Sequence, residues 1–133
     1  MMRDYPLSGT GMAMFRTAVS QPNYLIPHYR DNQLVLPHAH NEILHVGAEL
    51  GIIGLGLFVG IYVSALVSLW RAWRAEDRVW QGLALAVALG LAAHALYGLG
   101  DAVTLWDRFS FIWWILLGLA TGLGEIARQA KKP

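Results

Sequence analysis

His40 and Asn41 stand in the segment Pro37-His38-Ala39-His40-Asn41-Glu42, and nine residues separate Asn41 from Gly51-Ile52-Ile53-Gly54. A histidine titrates near neutral pH, so His40 could take a proton from a hydroxyl as a general base. Asn41 suits a helix N-cap, its short side chain accepting from the backbone N–H of Leu44. His40 then precedes that helix at the positive end of its dipole, a field that favours the neutral, proton-accepting imidazole. Because an uncharged apolar run begins at Gly51, this base is expected at the boundary between water and lipid. Such a position points to chemistry on a membrane-anchored substrate; the plain alternative is a loop histidine bonded to a nearby carbonyl.

Other residues compete for a role. His38, His40 and His45, with Glu42 or Glu49 nearby, invite a Zn²⁺ site of nitrogen and oxygen ligands. The spacing argues against it: His-x-His followed by a step of five matches neither the i, i+4 pair of a helical zinc site nor a common paired-ligand spacing. No metal and no other cofactor is expected. Glu42 reads as a solvated acid on the wet face of the helix. Glu49 lies beside the bend and close to lipid, where an unpaired charge is costly, so a partner such as an arginine is expected for it. Arg16 and Arg30 are the basic residues near His40, and an arginine fork suits phosphate or pyrophosphate; each alone reads equally as a surface residue. His94 lies inside an apolar run and is read as one half of a helix–helix hydrogen bond. Gly90, Ala92, Ala93 and Gly98 mark that region for close packing, and Gly54, Gly56 and Gly60 have the same explanation.

The elements that must hold these groups are membrane helices. Of 133 residues, 56% are hydrophobic, against roughly 45–50% in soluble domains, and they are clustered. A net charge of +1 gives no footing for nucleic acid, and the absence of cysteine removes disulfides and thiolate metal sites. Leu7-Ser8-Gly9-Thr10-Gly11 reads as a turn, Met12 to Val19 as a short helix ended by Pro22, and Tyr24 to Pro37 as irregular loop. Ile43, Val46 and Leu50 recur at helical spacing while Glu42, His45 and Glu49 fall on another face, so 42–50 is expected to be a short interfacial helix. Gly51 suits the left-handed position that closes it. Gly51 to Trp70 then gives twenty uncharged residues, enough to cross about 30 Å of hydrocarbon. Val79 to Gly100 is a second run, and residues 104–124 a third, interrupted by Asp107-Arg108.

The fold class is therefore an all-α integral membrane protein: an extracytoplasmic loop over 1–50, three transmembrane helices over 51–70, 79–100 and 104–124, and a cytoplasmic tail over 125–133. Arg71, Arg74 and Arg78 lie between spans one and two, and Arg128, Lys131 and Lys132 follow span three. The positive-inside rule places both groups in the cytoplasm and His40 outside, on the periplasmic side of a bacterial inner membrane. The N-terminus lacks the basic and apolar regions of a signal peptide, so the chain is expected to be a piece of something longer.

Pro6-Leu7-x-Gly9-x-Gly11 followed by Phe15, then His40-Asn41-(nine residues)-Gly51-x-x-Gly54, resembles the O-antigen ligase and polymerase superfamily of bacterial envelope glycosyltransferases. Asp107-Arg108-Phe109 leading into Trp113-Trp114-Ile115-Leu116-Leu117-Gly118-Leu119 looks like that family's last span. The resemblance implies a C-terminal portion of such an enzyme. It implies transfer of a glycan from undecaprenyl pyrophosphate to a sugar hydroxyl of lipid A–core, or to another glycan, with His40 activating the acceptor; Asn41, as the helix N-cap, is expected to orient His40. The arginines that hold the pyrophosphate in the family precede the Pro-Leu-x-Gly segment, so neither Arg16 nor Arg30 inherits that role, and the polypeptide alone is expected to be inactive. A polymerase or a protein O-oligosaccharyltransferase of the same superfamily would share these motifs. A non-catalytic three-span scaffold and a zinc-binding membrane hydrolase are the readings from other classes.

Overall fold

The computed structural model describes residues 1–24, 36–104 and 110–130, and among these the chain is helical, without a strand. The helices are α1 (Phe15–Val19), α2 (Glu42–Trp73), α3 (Arg78–Tyr97) and α4 (Ser110–Gln129). The last three are long and apolar enough to cross a membrane. The short helix expected from Met12 is confined to Phe15–Val19. Arg30, most of the Tyr24–Pro37 loop, Asp107-Arg108-Phe109, Lys131 and Lys132 lie outside the described residues. The chain forms two compact units, Met1–Phe58 with Gly98–Asp107 and Val59–Tyr97 with Arg108–Pro133; α2 contributes its first part to one and the rest to the other.

In the first unit, α2 is broken where the sequence places the bend. Gly51 has φ 66° and ψ −167°, a positive φ with an extended ψ that essentially only glycine adopts. A helix break strands carbonyls, and the N-terminal turn takes up two of them. Thr10 N–H donates to Ala48 O and Gly11 N–H to Glu49 O, each at 2.9 Å, while Ile52 N–H donates to Pro6 O at 2.9 Å. The two backbones touch at glycines. A Cβ on Gly9 would run into the Glu49–Leu50 peptide, and one on Gly51 into the Leu7 carbonyl. The glycines of the Pro-Leu-x-Gly and His-Asn-x₉-Gly motifs therefore face each other as a single backbone joint.

The start of α2 is tied down as firmly. Asn41 Oδ1 accepts from Leu44 N–H at 3.0 Å, the cap expected of it, and its Nδ2 donates to Leu99 O at 3.0 Å. Glu42 N–H donates to Gly98 O at 2.7 Å. Asn41→Ala is expected to cost about 1 kcal/mol in cap energy and to release the 98–101 turn. Asn41→Asp keeps the acceptor and loses only the Leu99 bond, so it should fall between wild type and alanine in unfolding from micelles.

Near the N-terminus, Tyr24 OH donates to Asp4 Oδ2 at 2.6 Å. This bond holds the Asp4 carboxyl below its usual range and pushes Tyr24 up to about 12. The tie is thus fully present between the two ordinary values. It is lost as pH falls below the normal Asp range, and also as pH rises from the normal Tyr value towards about 12. Tyr24→Phe is expected to flatten both limbs of the pH dependence of unfolding.

In the second unit, α3 and α4 pack against each other, and Ala84, Val87 and Leu91 on one and Trp113, Leu117 and Ala120 on the other are buried. Small residues let the helices approach: Gly90 meets Leu116, and Gly124 meets Ser68 of α2. Ala92 and Ala93 are exposed instead, and a Cβ on Gly56 or Gly60 would meet nothing within 4 Å, so the close-packing role expected of these four is not seen among the described residues. His94 makes the helix–helix hydrogen bond expected of it, its Nδ1 lying 3.2 Å from Tyr62 Oη, and Trp113 stacks on its ring. Towards the C-terminus α4 continues through Gln129, past the expected end at 124. Glu125 and Arg128 sustain it as an i, i+3 pair at 2.8 Å.

Candidate functional site

The first segment of α2 carries its polar face inward. Glu42 is 5% exposed and His45 and Glu49 are 0%, whereas Ile43 and Leu44 lie on the surface. Glu42 is therefore not the solvated acid the sequence suggests. Its Oε2 accepts from the backbone N–H groups of Val103 at 2.7 Å and Thr104 at 2.9 Å, so it clamps the 98–104 segment onto the helix start. Glu49 has the structural partners a charge beside lipid needs, and they include main-chain amides rather than only a cation. Phe15 N–H donates to its Oε1 at 2.9 Å and Ala13 N–H to its Oε2 at 3.0 Å. Ala13 takes a positive φ of 67° to present that N–H. His45 sits between Glu49, at 3.8 Å, and the Phe15 ring, at a centroid distance of 5.2 Å. These three residues of α2 fix the loop and the turn; they do not face solvent.

What they fix in place is a cluster on the outer side of the helix start. Asp101 is delivered by the 98–104 segment to the two histidines that precede Asn41. Its Oδ1 lies 3.3 Å from His38 Nδ1 and 3.6 Å from His40 Nδ1. The two imidazoles meet edge to face with centroids 4.3 Å apart. Asp101 Oδ1 also accepts from Ala102 N–H at 2.8 Å, which fixes the carboxylate. His40 has φ 47°, a left-handed conformation that costs a residue with a Cβ roughly 1–2 kcal/mol. Strain of this kind persists only where the surroundings impose it, and it collects at functional sites. Here the surroundings are Asn41 and Glu42, each bonded to the 98–104 segment.

His40 is the open member, its side chain 59% exposed against 22% for His38. With Asp101 on the Nδ1 side, the ring nitrogen left for an outside group is Nε2. The carboxylate would stabilise an imidazolium formed by proton uptake there, as the third member of a catalytic triad does. The same three residues can also hold a cation, since one donor atom from each lies within 4.8 Å of the others. The set differs from the one the sequence suggests: His45 is buried beside Glu49, and Asp101 takes its place. Arg16 is exposed on α1, and among the described residues no hydrogen bond joins it to this cluster.

Sequence reasoning missed Asp101 and the clamp formed by Glu42. The signal for Asp101 was an acid in the link between spans two and three, close behind Gly98-Leu99-Gly100, at the same end of the spans as His40.

A protein-family model described as O-antigen ligase matches residues 1–59, which hold the Gly9–Gly51 joint, His38, His40 and Asn41. The match is consistent with the O-antigen ligase superfamily. No curated protein and no solved structure matches the chain.

Proposed function

With residues 1–59 matching the O-antigen ligase family and three helices able to span a membrane, we propose that the chain supplies the base-bearing part of a ligase. The enzyme would transfer a glycan from undecaprenyl pyrophosphate to a sugar hydroxyl of lipid A–core at the periplasmic face of the inner membrane. His40 Nε2 takes the proton of the acceptor hydroxyl. The hydroxyl oxygen attacks the anomeric carbon, the bond from that carbon to the pyrophosphate oxygen breaks, and undecaprenyl pyrophosphate leaves with the electron pair. Asp101 holds the ring and offsets the charge it gains, and Asn41 keeps His40 at the head of α2. The observation that carries this reading is the exposed, left-handed His40 with its Nδ1 3.6 Å from Asp101.

The test is glycan transfer by membranes carrying the whole ligase that contains this chain, wild type against His40→Ala at matched expression. Retained activity removes His40 from the role. Polymerisation, or transfer to a protein hydroxyl, would use the same base and is distinguished by offering each acceptor in turn.

A cation held by His38, His40 and Asp101 is the second reading, favoured by the closeness of their donor atoms. If His40 acts as the base, dialysis against EDTA is expected to leave transfer unchanged. Loss on chelation that is restored by Zn²⁺ or another divalent ion would favour the cation.

A further inference from the structure

Away from the histidine cluster, the second unit carries an apolar groove with cations at one end. The groove has a volume of about 520 Å³, and its lining includes Val63, Leu69 and Trp70 of α2 and Ala84, Leu85 and Ala88 of α3. That volume lies in the roughly 300–1,000 Å³ range of small-molecule sites. Leu69 and Ala84 are buried at its floor, while Trp70 and Leu85 stand exposed as walls.

Helical spacing fixes what lies at the end of the groove. Val63, Val67 and Trp70 follow one another on one face of α2, at steps of four and three residues, and Arg74, just past the end of the helix, continues the turn with its N–H donating to Trp70 O at 3.2 Å. Arg78, Leu85 and Ala88 share a face of α3, at steps of seven and three. Both stripes therefore run from apolar residues to an arginine at the short link between the helices. Arg74 is planted there, its guanidinium carbon 4.9 Å from the Trp70 ring centroid, so a groove wall carries the cation directly. Of the two carboxylates in the link, Asp77 is engaged by Val79 N–H at 2.7 Å; Glu76 is the other.

We propose that this groove holds an acyl chain of an anionic phospholipid from the leaflet at the Arg71–Arg78 end, with its phosphate on Arg74 and Arg78. An apolar groove that ends in guanidinium groups complements an amphiphile with a negative head. A covering helix or a second copy would account for the apolar walls but gives no use for the cation stacked on Trp70. Basic pockets between transmembrane helices are sites of this kind. The proposal is independent of the transfer reaction.

The experiment uses the full chain, purified in mild detergent and incubated with phosphatidylglycerol or with phosphatidylcholine of matched acyl chains. Lipid retained through detergent exchange is counted by native mass spectrometry. Phosphatidylglycerol is expected to be retained about tenfold more than phosphatidylcholine. Arg74→Gln combined with Arg78→Gln should bring the two to parity without lowering phosphatidylcholine retention. Ala88→Trp, which fills the groove, should lower both. Equal retention by the wild type, or a preference that survives the double arginine variant, overturns the proposal. So does a Leu66→Cys cross-link between two chains that forms as readily with phosphatidylglycerol present, since the groove is then covered by a second copy. If Ala88→Trp fails to fold, the arginine variants, at exposed positions, still decide.

Discussion

Glycan transfer is expected to fall by about 10²–10⁴-fold in His40→Ala, the range that a positioned general base contributes. The loss should appear at matched expression and with unchanged thermal unfolding, because His40 is exposed and packs against little besides His38 and Asp101. Asp101→Asn keeps the size of the side chain and removes its charge, so it should cost less than His40→Ala but more than His38→Ala. That order separates the two readings of the cluster. A base with a positioning carboxylate depends steeply on His40 and only weakly on His38. A bound cation depends on all three ligands, and their variants should then lose activity together and respond to added metal.

Gly51→Val is expected to be the most damaging substitution for the fold, costing about 3 kcal/mol or more and reducing the protein that accumulates in the membrane. Three effects add. The side chain meets the Leu7 carbonyl, the positive φ disfavours any residue with a Cβ, and displacing the turn strands the carbonyls of Ala48 and Glu49. Gly9→Val acts from the opposite side of the same contact and should resemble it. Gly56→Val, on the same helix in open space, should be close to neutral. Unfolding of the three variants in detergent micelles, read by circular dichroism, checks the order.

The spans were legible because length and hydropathy suffice to recognise a membrane helix, and Asn41 because an N-cap is local chemistry. The bend at Gly51 was legible for the same reason. The direction of the polar face of 42–50 was not. Periodicity shows that Glu42, His45 and Glu49 share a side, but whether that side meets water or other polar backbone is decided by Ala13, Phe15, Val103 and Thr104. Those groups are main-chain N–H donors, which carry no sequence signature. Asp101 was hidden likewise, since its closeness to His38 and His40 rests on a return of the chain after a full helical excursion. The joint of Gly9 and Gly51 lay between two motifs that sequence inspection quotes separately.

The break in α2 also has a consequence for how the protein is made. A translocon that meets α2 finds a polar first segment and then an apolar run, with the backbone interrupted at Gly51 between them, and the groups freed there find partners in the turn of Pro6, Thr10 and Gly11. Until that turn docks, the opened backbone has to draw on water or lipid headgroups. Sealing it therefore depends on that turn being docked, and Glu49, which holds Ala13 and Phe15 from the same end of the helix, is its latch. Surveillance proteases that sample exposed backbone in newly inserted chains would find this place open in the unlatched protein and closed in the mature one.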